Sequence, residues 1–148
     1  MGRIAPLAVI TGAIIDWVLT ATLELPLSMY VLFSRHLQRL PRDEMQKVLL
    51  HTMHDEPALY ALRLTVGFAC TLIGSIIAGV LAKRAQVLNG VLSAMLPTIL
   101  GVVTLVRGTY VGKTWQALVW LFVVTPIVGA AGGWLAERMQ SGRSESPA

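Results

Sequence analysis

Four apolar runs, at about 4–33, 58–81, 87–106 and 115–136, constrain this chain more than any other feature. Each reaches or exceeds the ~20 residues that a helix needs to cross a bilayer. Backbone inside lipid must satisfy its own hydrogen bonds, so such runs become helices. In 148 residues they leave room for little else. The expected fold is an all-α integral membrane protein: four transmembrane helices arranged as two tandem helical hairpins, with an amphipathic surface helix between the first and second spans. Composition points the same way, since 55% hydrophobic and 14% charged residues with a mean hydropathy of +0.66 are too apolar for an ordinary soluble domain. A single transmembrane domain is expected over 1–140, followed by a disordered tail at 141–148 rich in Ser, Gly and Pro. The first run is too long for a signal peptide and carries an acid, so it is expected to be retained.

The one sizeable polar segment, 34–57, follows the first run. Pro41 marks a helix start, Asp43 and Glu44 fall in its first turn, and Met45, Val48, Leu49, Thr52 and Met53 recur at helical spacing against Arg42, Lys47, His51 and His54. That pattern predicts an amphipathic helix lying on the membrane surface. An even number of spans puts both termini on one side, with Arg3, Lys83, Arg84, Arg138 and Arg143. Arg35, Arg39, Arg42, Lys47, Arg107 and Lys113 fall on the other. The counts nearly balance, and the adjacent Lys83 and Arg84 in a tight turn place the termini inside, in a bacterial inner membrane.

Inside the first run stand two carboxylates. Gly12, Asp16, Thr20, Glu24 and Ser28 form one ridge of small or polar residues, because residues i and i+4 are neighbours on a helix. At about 1.5 Å per residue, Asp16 lies near mid-membrane however the helix slides, with Glu24 roughly 12 Å further along. An acid at that depth costs ~3 kcal/mol on insertion scales, so the ridge is expected to face a bundle interior, a wet cavity or a partner. Laying the second span antiparallel brings Arg63 within reach of Glu24. Opposite Asp16 the same span offers Cys70, Thr71, Gly74 and Ser75, and no cation. The candidate proton, ion or substrate site is therefore Asp16, Glu24, Arg63 and Thr20. Asp16 itself has three readings: a hydrogen-bonded carboxyl, a wet and titrating one, or a group matched by another subunit.

Ile73 to Gln86 matches Ile127 to Gln140, both ending in Gly-x-Leu-Ala-x-Arg-x-Gln, and Thr11-Gly12 loosely matches Asn89-Gly90. Two hairpins in the same orientation follow, unlike the inverted repeats of many transporters. Gly74 with Ala78, Gly79, and Gly129 with Gly133 are candidate helix-packing residues, since small side chains let backbones approach where lipid provides no hydrophobic force. Packing inside the chain accounts for them, and so does a dimer. Pro26, Pro97 and Pro126 interrupt three of the runs, with Thr98 and Thr125 placed to satisfy freed carbonyls. His51 and His54 have the spacing of a metal pair, yet no second pair or cysteine completes a tetrahedral set, so no metal and no cofactor is expected. Cys70 is the only cysteine, which excludes an intrachain disulfide. Nothing marks a nucleophile, a phosphate loop or a nucleic-acid module.

The stretch Gly12-Ala-Ile-Ile-Asp16-Trp-Val-Leu-Thr20 resembles the opening helix of the small multidrug resistance transporters. That resemblance covers about a dozen residues. It implies a four-helix protein whose first-span acid, here Asp16, binds a proton and a cationic drug in turn. The long 34–57 insertion, Glu24 and the parallel repeat depart from that family. Gly-x-Leu-Ala-Lys-Arg followed by Asn89-Gly90 is similar to a loose group of uncharacterised small four-helix bacterial membrane proteins, which implies a fold and no activity. The expected partner is the lipid bilayer, with either a second copy of the chain or a larger membrane complex, and no nucleic acid. No enzymatic activity is expected. Function is read as helix packing within such an assembly. The alternative is a proton-coupled small-molecule or cation transporter, assembled as a homodimer and using intramembrane Asp16.

Overall fold

The computed structural model describes residues 4–106 and 120–144. Among them the chain is all-helical, with five α-helices: α1 (Pro6–Ser34), α2 (Arg42–Asp55), α3 (Pro57–Ala82), α4 (Gln86–Val106) and α5 (Thr125–Ser144). Pro6 and Pro57 sit in the first turn of α1 and α3, where a missing N–H costs nothing and the fixed φ favours the helix. A single 3-10 turn, Leu37–Arg39, follows α1, and a π turn, Trp120–Val124, leads into α5.

Two helices, α1 and α3, are long and apolar enough to cross a membrane. Only 28% and 33% of their most apolar stretches are buried within the chain, so most of that apolar surface faces outward. Leu7, Trp17, Leu25 and Tyr30 on α1 are largely exposed. The start of the fourth expected span (115–119), and Arg3, Arg107 and Lys113 of the sidedness count, lie outside the described residues. At its other end α5 runs through Ser141 to Ser144, so the first part of the segment expected as a disordered tail is helical. The Ser141 hydroxyl bonds back to the carbonyls of Glu137 and Arg138. Positions 145–148 lie outside the described residues.

Helices α1 and α3 form one antiparallel hairpin and α4 and α5 the other, while α3 also packs along α5 and α1 along α4. Like helices thus run parallel across the interface, as a same-orientation repeat requires. Gly79 faces its repeat mate Gly133, and Gln86 bonds its mate Gln140. Residues that meet their own equivalents lie on a pseudo-two-fold axis parallel to the helices.

Small residues set the spacing. A Cβ added at Gly74 would meet the Gly12 carbonyl at 2.6 Å and Asp16 Cβ at 2.9 Å. One at Gly129 would meet Ala94 and Gly90 within 2.9 Å, and one at Gly133 would meet the backbone of Gln86 and Val87 at 2.5 Å. Ala78 is fully buried beside Gly12. The small-residue surfaces are thereby used between helices of one chain.

The insertion forms α2, and its apolar face docks onto protein. Met53 packs with Val31 and Leu37, flanked by Leu27, Met45, Leu49 and Leu59. The cluster ties α2 across the ends of α1 and α3. Arg35 reinforces it through an ion pair with Glu56 at 3.0 Å. Val48 remains exposed, leaving part of the expected lipid-facing stripe outward.

Pro26 and Pro97 lie inside α1 and α4. Pro126 is the second residue of α5 and follows the π turn without a break, so the interruption expected there takes the form of a change from π to α hydrogen bonding within one helical run. The Thr98 hydroxyl does not serve the carbonyl that Pro97 frees. It donates to Ala94 O at 3.1 Å, whereas the carbonyl deprived of its α-helical donor is that of Ser93.

Candidate functional site

A cavity of about 250 Å³ opens between α1, α3, α4 and the start of α5. Its walls are mainly apolar, with Trp17, Tyr60, Leu64, Phe68 and Pro97 among them. The polar ridge of α1 forms one side: Asp16, Thr20 and Glu24 all line the space. Spacing at i+4 puts them there together, and the contact of Gly12 with Gly74 turns that ridge toward α3 rather than outward.

At the inner end Asp16 is 5% exposed. Thr71 of α3 donates to its Oδ2 at 3.1 Å, and Thr20, one turn along α1, donates to Oδ1 at 3.4 Å. Among the described residues no Lys, Arg or His forms an ion pair with it. Each oxygen thus has one hydroxyl donor and retains capacity for another partner, since a carboxylate offers about four acceptor directions.

Toward the α2 end, Arg63 Nε donates to Glu24 Oε1 at 2.7 Å, with both side chains about three-quarters buried. The pair neutralises the second acid. At the same end the rings of His54 and Tyr60 meet edge to face with centroids 5.0 Å apart, and both line the cavity. His51 instead pairs with Asp55. The two histidines therefore point to different partners, and no group of three metal-ligating side chains occurs among the described residues.

No family model, curated protein or solved structure matches this chain. What the site can do therefore rests on its own geometry.

The four candidate residues Asp16, Thr20, Glu24 and Arg63 share the cavity. Sequence reasoning left out Thr98 and Thr125 as site residues, and they line it as well. A signal for them exists. The offset that relates Gln86 to Gln140 also relates Thr71 to Thr125, and the one relating Gly12 to Gly90 relates Thr20 to Thr98. Four threonines thus come in two repeat-related pairs, while Asp16 corresponds to Ala94 and has no counterpart. The aromatic walls were not legible, because an aromatic residue in an apolar run faces lipid as readily as a cavity.

Closed packing lies on the far side of Asp16. Asn89 is fully buried there, donates to the carbonyls of Arg84 and Ala85 at 3.2 and 2.9 Å, and accepts from Ala5 N at 2.9 Å. The cavity is thus closed on the Asp16 side, with the acid that has no ion-pair partner among the described residues at that end.

Proposed function

We propose that this protein is a four-span, multi-pass membrane protein of the bacterial inner membrane, with its termini inside, that binds and carries a small cation with an apolar body. Asp16 is the counter-charge. The observation that carries the reading is an acid, without an ion-pair partner among the described residues, at the closed end of an apolar chamber. An unpaired carboxylate in such surroundings is costly, and a proton or an organic cation relieves the cost equally well. The two occupants therefore compete, which is the basis of proton-coupled exchange. Tyr60, Phe68 and Trp17 supply the faces on which a cationic body rests. The chamber lies just below the usual range for ligand pockets, about 300–1,000 Å³, which favours a compact solute.

Helix packing with a partner is the weaker reading on this geometry, because Gly74, Gly79, Gly129 and Gly133 are already in contact within the chain. The four candidate residues Asp16, Thr20, Glu24 and Arg63 meet within one copy.

The test is uptake of radiolabelled benzyltrimethylammonium into vesicles containing the full chain, driven by a pH gradient. Wild type is expected to accumulate the cation. Asp16→Asn should keep the fold, because the amide oxygen accepts from one threonine while the amide NH2 donates to the hydroxyl oxygen of the other, and should abolish accumulation. Uptake by Asp16→Asn at the wild-type rate would reject the reading.

A further inference from the structure

On the closed side of Asp16, two serine hydroxyls stand without a hydrogen-bond partner among the described residues, although each residue is only 1% exposed. They are Ser75 on α3 and Ser93 on α4. Buried hydroxyls are ordinarily satisfied, and in a helix a serine can bond the carbonyl one turn back, so two orphans at one level call for an explanation.

Their position is informative. Ser75 follows Thr71 by one turn of α3, on the same face, in the direction away from the cavity. Ser93 Oγ lies 2.5 Å from where a Gly12 Cβ would be, and Gly12 precedes Asp16 by one turn of α1. Both hydroxyls therefore sit one turn below the carboxylate, toward the end of the bundle that carries Asn89. Ser93 adds a backbone carbonyl, since Pro97 cannot donate to it. Asn89 comes one turn further along α4, and the Gln86–Gln140 pair closes the same end. A file of buried oxygens continues from the chamber through the half of the bundle that the cavity does not reach.

The space is too tight for a solute, because Gly12, Gly74, Ala78 and Ser93 are in near-van der Waals contact. A proton needs less room. We infer that Ser75 and Ser93 form the proton exit of Asp16, connecting the carboxyl to the side of the membrane opposite α2. The inference rests on the transport reading above and adds a route to it. Asp16 passes its proton to an oxygen of the file. Each hydroxyl accepts one proton and releases another, so none changes composition, and Asp16 is reprotonated from the cavity. Successive oxygens about one helical turn, ~6 Å, apart are too far for direct transfer, so the proton moves through transient waters admitted as the packed helices fluctuate. Between Asp16 and Asn89 the described helices present no other charged or histidine side chain, and Glu137 and Arg138 of α5, near the Gln86–Gln140 end, are exposed, so the hydroxyls are the available buried carriers.

The experiment uses vesicles of the full chain with an entrapped pH-sensitive dye and a potassium diffusion potential. Wild type should pass protons. The S75A/S93A double variant should slow them by about tenfold or more, the effect expected when one transfer step gains a barrier of roughly 1.4 kcal/mol. Its benzyltrimethylammonium binding should not change, and its Tm should stay or rise, because an unpartnered hydroxyl contributes nothing to the fold. A purely structural role for the serines would lower Tm instead. Wild-type proton movement in S75A/S93A, or none in the wild type, would overturn the route. Asp16-dependent cation binding with serine-independent proton movement would leave the transport reading standing. Serine-dependent proton movement with no cation binding would support the route and reject the cation.

Discussion

Gln86 Nε2 donates to Gln140 Oε1 at 2.6 Å, and Gln140 Nε2 passes on to the carbonyl of Val80 at 2.8 Å. These glutamines end the two copies of the repeat, so the relationship is a residue bonding its own equivalent across the pseudo-two-fold axis. It clasps α4 to α5, and α5 to α3, at one end of the bundle.

Gln140→Leu should break the clasp, leaving Gln86 and the Val80 carbonyl unmatched in a half-buried site. The expected loss is about 1–2 kcal/mol. Thermal unfolding in detergent would measure it, and Gln86→Leu in the same background should cost less than it does alone, since its partner is already gone.

Gly133→Ala should destabilise the isolated chain. The added Cβ would lie 2.5 Å from the Gln86 carbonyl and Val87 Cα, which are backbone and cannot swing aside. Overpacking of this kind costs about 1–3 kcal/mol. Gly142→Ala meets nothing within 4 Å and serves as the control. If Gly133 served assembly alone, Gly133→Ala would change the oligomeric state and leave monomer Tm untouched.

The Glu24–Arg63 pair should show strong coupling. Removing one member leaves a charge in a site about three-quarters buried. Glu24→Gln or Arg63→Met alone should each cost about 2–4 kcal/mol, somewhat less than full burial would give. The double variant should recover most of that. A double-mutant cycle on Tm gives the value, and purely additive losses would mean that the pair is not an interacting unit.

Met53→Ala should loosen α2 without unfolding the bundle. Met53 is the α2 residue buried between Val31 and Leu37, and its truncation should cost the docked state about 2–3 kcal/mol. Amide hydrogen exchange would speed up in α2 and stay slow in α3. Because the next residue, His54, lines the cavity, that wall should loosen with α2, and benzyltrimethylammonium should dissociate faster.

The packing of Asp16 was half legible. Antiparallel register alone placed Thr71, Gly74 and Ser75 at its level, because a helical hairpin with a known turn leaves little freedom in height. Rotation about each helix axis is another matter. Thr71 reaches the carboxyl while Ser75, one turn on, finds no donor or acceptor, and that difference depends on which face α4 and α5 cover. Sequence periodicity does not resolve it, because all faces of these runs are apolar.

The amphipathic segment shows the same limit. Its spacing of apolar residues located α2 and its inward stripe. Whether lipid or protein covers that stripe depends on the chain turning back at His36, whose φ of 53° is left-handed, and this brings Met53 onto Val31. A non-glycine residue in that conformation carries no local signature.

By itself the sequence determined an all-helical chain, the approximate bounds of α1, α3 and α4, the partnership of Glu24 with Arg63 and the parallel repeat. These follow from hydrophobic run length, helical pitch and internal similarity, which are properties along one dimension. The tertiary structure decided that the glycines are spent between helices of the same chain, that four threonines and an aromatic wall converge around Asp16, and that two serines lie beyond it without partners. Those facts come from how five helices rotate against one another, and close packing of small side chains sets that rotation only once all of them are present.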